Sequence, residues 1–149
     1  MSKKKSEHAP ELSLENYQYP DKFGTWLGYK VLKLDRVNFK SEVELQIRED
    51  HLSPAKRVHG GVISSFFDFA FGAAVFSSLG SRDFCSTVEL KVNYFRPLEL
   101  GDRVVAKAEI VFRGKHLCAL HGYAFRNDEV KPVAMATATF NIVTGKSQS

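Results

Sequence analysis

Asp68 is the residue of this chain most in need of a chemical explanation. It stands in the run Phe66-Phe67-Asp68-Phe69-Ala70-Phe71. A carboxylate among apolar side chains is costly unless it is partnered, and such a group is a candidate base or nucleophile. The same pattern also fits a carboxylate that is hydrogen-bonded structurally or that meets another subunit. Just upstream lies His59-Gly60-Gly61. If a helix begins there, its first-turn amides point outward with partial positive charge. Glycine lets a ligand oxygen approach them closely. They would then polarise a carbonyl as an oxyanion hole does. The alternative is a tight glycine turn with His59 as a cap or a packed side chain.

The spacing sharpens the first reading. Gly60 and Asp68 are eight residues apart, or about 12 Å along one helix axis. One chain cannot bring both to one carbonyl. If both act together, Asp68 acts on a substrate polarised by a second copy, and a two-fold dimer carries two equivalent sites.

Other constellations are weaker. His116, Cys118 and His121 have the types of metal ligands, but on a strand His121 points away from the other two, so no metal is expected. Ser64 and Ser65 lack the flanking pattern of a nucleophile elbow. No phosphate-binding glycine loop or dinucleotide fingerprint is present. Net charge is +4, with basic residues spread over strands, so nucleic acid is not an expected partner. The excess suits a small anionic ligand.

The elements around these residues are legible from hydropathy. Val62 to Leu79 is apolar nearly all round; it predicts one long helix, buried on every side and ended by Gly80. Period-two alternation predicts strands on either side of it. The first, from Leu27 to Leu34, is imperfect. In the second, Phe39, Val43, Leu45 and Ile47 share a face broken only by Ser41. Four more follow: Thr87–Arg96, 104–112, 116–127 and 131–143, with Arg113-Gly114-Lys115 as a hairpin turn. The expected architecture is α+β: a helix wrapped by a curved antiparallel sheet of five to six strands. Alanines 134, 136 and 138 suggest close packing against the helix phenylalanines.

The chain has 149 residues, 44% hydrophobic and 26% charged, as expected for one globular domain. Residues 1–11 read as a disordered basic tail and 12–149 as the domain. No apolar run reaches membrane-spanning length, and the polar start does not resemble a secretory signal. Cys85 and Cys118 read as reduced thiols, and the expected location is cytoplasmic.

Four blocks carry a resemblance: Val58-His59-Gly60-Gly61-Val62-Ile63 with Phe67-Asp68 and Gly72-Ala73-Ala74; Val88 through Pro97; Gly114-Lys115; and Ala136 through Phe140. In this register the chain resembles the hotdog-fold thioesterases of the acyl-CoA thioesterase superfamily, in the branch of the phenylacetate-degradation PaaI proteins. The resemblance covers about Trp26 to Val143. It implies hydrolysis of an acyl-CoA thioester, with CoA thioester as substrate and no cofactor, by a homodimer or a dimer of dimers.

It also implies residue roles. Asp68 is general base on water, or nucleophile through an anhydride. The Gly60 amide polarises the carbonyl from the facing subunit, with Gly61 beside it. His59 orients the loop near the thioester, and Thr87 helps to place the water or the carboxylate. Arg113, Gly114 and Lys115 lie near the nucleotide end. The chain departs from the family at Ser53 and Lys56, where asparagine and glycine are usual; serine still hydrogen-bonds but reaches less far. A non-catalytic acyl-CoA-binding protein of the same fold is the alternative function, and a hydratase of this fold lacks its expected histidine pattern here.

Overall fold

The computed structural model describes residues 21–145; the tail expected over residues 1–11 lies outside them. The elements run α1 (Lys22–Leu27), β1 (Lys30–Asp35), β2 (Lys40–Gln46), α2 (Gly60–Phe76), β3 (Phe84–Tyr94), β4 (Arg103–Arg113), β5 (Leu117–Arg126) and β6 (Ala134–Val143). The six strands form one antiparallel sheet in the order β1-β2-β4-β5-β6-β3. Helix α2 touches all six strands, so the sheet curves around it as the hydropathy pattern predicts. The chain leaves β2, runs through α2 across the sheet, and enters β3 at the opposite edge.

The packing follows from side-chain size. Phe66, Phe67 and Phe71 are fully buried on α2, each worth about 1.5–3 kcal/mol of burial. They meet a sheet floor of Ala106, Ala108, Ala124, Ala134, Ala136 and Ala138, all buried. At Gly122 the fit is closest: a Cβ there would lie 3.0 Å from the Phe71 ring and 3.0 Å from the Lys107 carbonyl oxygen. Ser41, the polar interruption on the inner face of β2, is buried and donates to the Ala70 carbonyl of α2 at 2.7 Å. A hydroxyl is tolerated in that layer because a helix carbonyl receives it.

Several expected boundaries are corrected. Leu27 ends a helix rather than opening a strand. Asp21 caps α1 by accepting from the Phe23 amide at 2.8 Å, and Gly28 closes it at φ +85°. Phe39 lies in the β1–β2 turn at φ +55°, not in β2. Helix α2 begins two residues earlier than predicted and ends at Phe76. Between Thr87 and Glu89 a bulge breaks the β3–β6 register, which leaves Val88 60% exposed rather than aligned with Leu90 and Val92.

The largest correction concerns α2 itself. It is not buried on every side. Gly60 and Gly61 are exposed, and Ser64, Ser65, Asp68 and Gly72 are half-buried. Spaced three and four residues apart, Gly61, Ser64, Ser65, Asp68 and Gly72 form one open stripe along the helix.

Candidate active site

The start of α2 is held by backbone bonds. His59 N–H donates to the His51 carbonyl at 3.0 Å, Val58 N–H donates to the Leu98 carbonyl at 3.0 Å, and Leu52 bridges Val58. Among the described residues the first amide of the helix with a backbone acceptor is that of Val62, bonded to the His59 carbonyl at 3.0 Å. The Gly60 and Gly61 amides precede it, at the positive end of a helix of seventeen residues. His59 occupies the cap position with an exposed side chain that makes no capping bond; of the two structural roles open to it, packing and capping, its side chain fills neither.

Asp68 lies two turns further along. Its Oδ1 accepts from the Thr87 hydroxyl at 2.6 Å. The structure thus brings this pair together, helix to edge strand, while Oδ2 has no hydrogen-bond partner among the described residues. Asp68 is half-buried, not sealed among phenylalanines: Phe66, Phe67 and Phe71 are fully buried in the core, Phe69 stacks on Tyr29, and the carboxylate lies on the open stripe.

Two residues not predicted for the site join it. The Tyr94 hydroxyl donates to the Gly60 carbonyl at 2.8 Å and lies 2.5 Å from Ser64 Oγ. In the sequence Tyr94 is legible only as one member of a strand face. A cavity of about 350 Å³ opens beside this cluster, walled by Val58, Gly60, Ile63, Tyr94, Phe95 and Leu98. A second cavity, about 300 Å³, lies on the outer sheet face beside Lys40, Glu109, His121 and Tyr123 and holds none of the predicted site residues.

The remaining candidates lie apart. Ser53 turns the preceding loop through its backbone, donating to the Arg57 carbonyl at 2.7 Å and accepting from Lys56 N–H at 2.9 Å. Lys56 sits at φ +60°, a conformation that favours glycine. Arg113 is bonded to Ser78 Oγ at 3.0 Å, beyond the far end of α2, and to the Gly114 carbonyl. Lys115 is exposed. Within one chain this turn and Asp68 are separated by the last two turns of the helix. Among the described residues no three His, Cys, Asp or Glu side chains form a group able to hold a metal, and no helix is long and apolar enough to cross a membrane.

Sheet, helix and site define a class. The profile of the thioesterase superfamily matches residues 55–133, and the chain belongs to that superfamily. Its class of chemistry is thioester hydrolysis. A solved variant of the phenylacetic acid degradation protein PaaI from Thermus thermophilus is 30% identical, with 81% of this chain and 98% of that one covered at a TM-score of 0.72. A curated relative from Archaeoglobus fulgidus, provisionally named an esterase, is 28% identical over 127 residues, 85% of this chain and 79% of its own. A hypothetical thioesterase of Streptococcus pneumoniae, solved with coenzyme A, is 22% identical and covers 80% of this chain and 92% of its own at a TM-score of 0.70; at that identity the likeness is one of fold.

Proposed function

We propose that this protein hydrolyses acyl-CoA thioesters at a site shared by two copies of the chain. The observation that carries this reading is the Thr87–Asp68 hydrogen bond. It orients a carboxylate on an open helix face and leaves one oxygen for water. Asp68 takes a proton from that water while the water oxygen bonds to the thioester carbonyl carbon. The negative charge on the carbonyl oxygen meets the Gly60 amide of the facing copy. Collapse breaks the carbon–sulfur bond. The thiolate takes the proton from Asp68, and free acid and CoA leave. Direct attack by Asp68 through an anhydride uses the same groups.

Three features support a second copy. Gly60 and Asp68 lie about 12 Å apart along one helix. Strand β3 is an eleven-residue edge, a length of unpaired backbone that proteins do not ordinarily leave open. Val88 and Tyr94, on that edge, are 60% and 51% exposed. Pairing two β3 edges about a two-fold axis sets two α2 helices antiparallel, each Gly60 toward the other Asp68. The resemblance to PaaI proteins extends this to a dimer of dimers. The coenzyme A in the streptococcal structure supports CoA as the thiol half, and Lys115, without a partner among the described residues, is the free charge of the β4–β5 turn for its phosphates.

The test is thiol release from acyl-CoAs running from acetyl through palmitoyl to phenylacetyl and benzoyl. Turnover by the unaltered protein and its loss in Asp68→Asn are the expected results. Saturable binding with no thiol release would overturn the reading in favour of an acyl-CoA-binding role.

A further inference from the structure

The hydroxyl of Tyr94 has one proton, and it goes to the Gly60 carbonyl at 2.8 Å. Ser64 Oγ, 2.5 Å away, is therefore the donor to the tyrosine oxygen. The result is a chain, Ser64 to Tyr94 to Gly60, that ties the first turn of α2 to the end of β3. The tyrosine ring also lies over Gly60: a Cβ on that residue would stand 3.4 Å from the ring carbon bearing the hydroxyl.

The peptide group is planar and trans, so its C=O and N–H point in opposite directions. Fixing the Gly60 carbonyl fixes the direction of the Gly61 N–H outright. It fixes the Gly60 N–H through the dihedrals of one residue. Two consecutive glycines have the widest backbone freedom of any dipeptide, and a wandering amide stabilises developing charge poorly. We propose that Tyr94 is a positioning residue: its hydroxyl, held by Ser64, locks the Gly60–Gly61 peptide so that the first-turn amides stay aimed at the substrate carbonyl. Strand β3 then serves both halves of the reaction, with Thr87 orienting the carboxylate and Tyr94 orienting the amides. This inference rests on the hydrolase reading above.

The test uses the full chain and the acyl-CoA it turns over fastest. Tyr94→Phe keeps the ring and removes the clamp. The expected result is a fall in kcat of about 10-fold or more with KM within about 2-fold, because the lost interaction matters only in the transition state. Ser64→Ala, which leaves Tyr94 in place, lowers kcat by a smaller factor in the same pattern. A second readout is the carbonyl stretch of the acyl-CoA bound to Asp68→Asn, which polarising amides shift to lower frequency. Adding Tyr94→Phe should remove most of that shift. An unchanged kcat and an unchanged shift in Tyr94→Phe, with the native protein active, would overturn the positioning role alone. If Tyr94→Phe does not fold, an unchanged kcat and shift in Ser64→Ala would overturn it. No turnover of any acyl-CoA by the native protein would overturn the hydrolase reading and this one with it.

Discussion

The Thr87 hydroxyl donates to Asp68 Oδ1 at 2.6 Å, joining the edge strand of the sheet to the middle of its helix. Because Asp68 is half-buried on an open stripe, its replacement need not disturb the core. Asp68→Asn should lower kcat by about 10³-fold, within the range for a general base, with an unchanged melting temperature. Thr87→Ala should cost about 10-fold through misorientation, and Thr87→Ser should recover most of it. Steady-state kinetics beside thermal melts check both; full activity in Asp68→Asn would remove this carboxylate from the chemistry.

Sharing of the site between copies is open to complementation. Mixed in equal amounts and reassembled, Asp68→Asn and Gly60→Pro chains form hybrid dimers with one intact site of two. Random pairing predicts recovery of about a quarter of native activity. Verified hybrid dimers that remain inactive would place both groups in one chain.

His51 predicts a pH dependence. Its ring is buried; Nδ1 accepts from the Arg48 amide at 3.2 Å, and Nε2 lies 3.0 Å from the Leu27 carbonyl, to which it donates. Burial first, and the charge of Arg48 second, hold its pKa below the usual 6.5. The unfolded chain therefore takes up a proton that the folded one resists. Stability is full above about pH 6.5 and declines as pH falls below it. His51→Gln should lose about 1–3 kcal/mol at neutral pH by disturbing both bonds, and its stability should vary less between about pH 7 and 5. Denaturant midpoints across that range are the measurement.

Cys85 should be a slow thiol. Burial, with smaller contributions from Cys118 and Asp68, pushes its pKa up to about 11. At about pH 8 its alkylation by iodoacetamide should be about 100-fold slower in the folded protein than in denaturant, since the thiolate reacts. Fast labelling of the native protein at Cys85, located by mass spectrometry, would contradict this environment.

Lys56 occupies left-handed backbone at φ +60°, a conformation that favours glycine. Lys56→Gly should stabilise the protein by about 0.5 kcal/mol. It relieves about 1–2 kcal/mol of strain and returns part of it to the freedom of the unfolded chain. Its exposed ion pair with Glu49, at 3.5 Å, contributes little to offset this. A denaturant midpoint at or below the native value would show that the loop holds no such strain.

Much of this was readable from the residues. The strands β2, β4, β5 and β6 announce themselves because their alternation lasts for seven residues or more, and the long helix because its apolar run is too long for a strand. Asp68 and the two glycines were legible because a charge in an aromatic run and a glycine pair before a helix are locally conspicuous. The short helix α1 was not, since six residues give too little periodicity to outweigh the alternation that begins at Leu27. The openness of one side of α2 lay in the sequence as Gly61, Ser64, Asp68 and Gly72 at helical spacing, hidden by the surrounding phenylalanines. The Tyr94 clamp could not be read at all. Its partners are thirty and thirty-four residues away, and only the fold brings them within reach.

Among the described residues strand β3 has a single neighbour in the sheet, β6, the last of the six strands. Some forty residues separate the end of one from the start of the other. During synthesis, β3 must therefore wait without a backbone partner while β4 and β5 are made. Thr87, opposite Asp68, and Tyr94, beside Gly60, sit on a strand whose backbone ladder in the described sheet is made with Ala134–Val143. A chain cut short before β6 would carry every site residue and should still be inactive, because the strand that holds Thr87 and Tyr94 would have no neighbour in its own sheet.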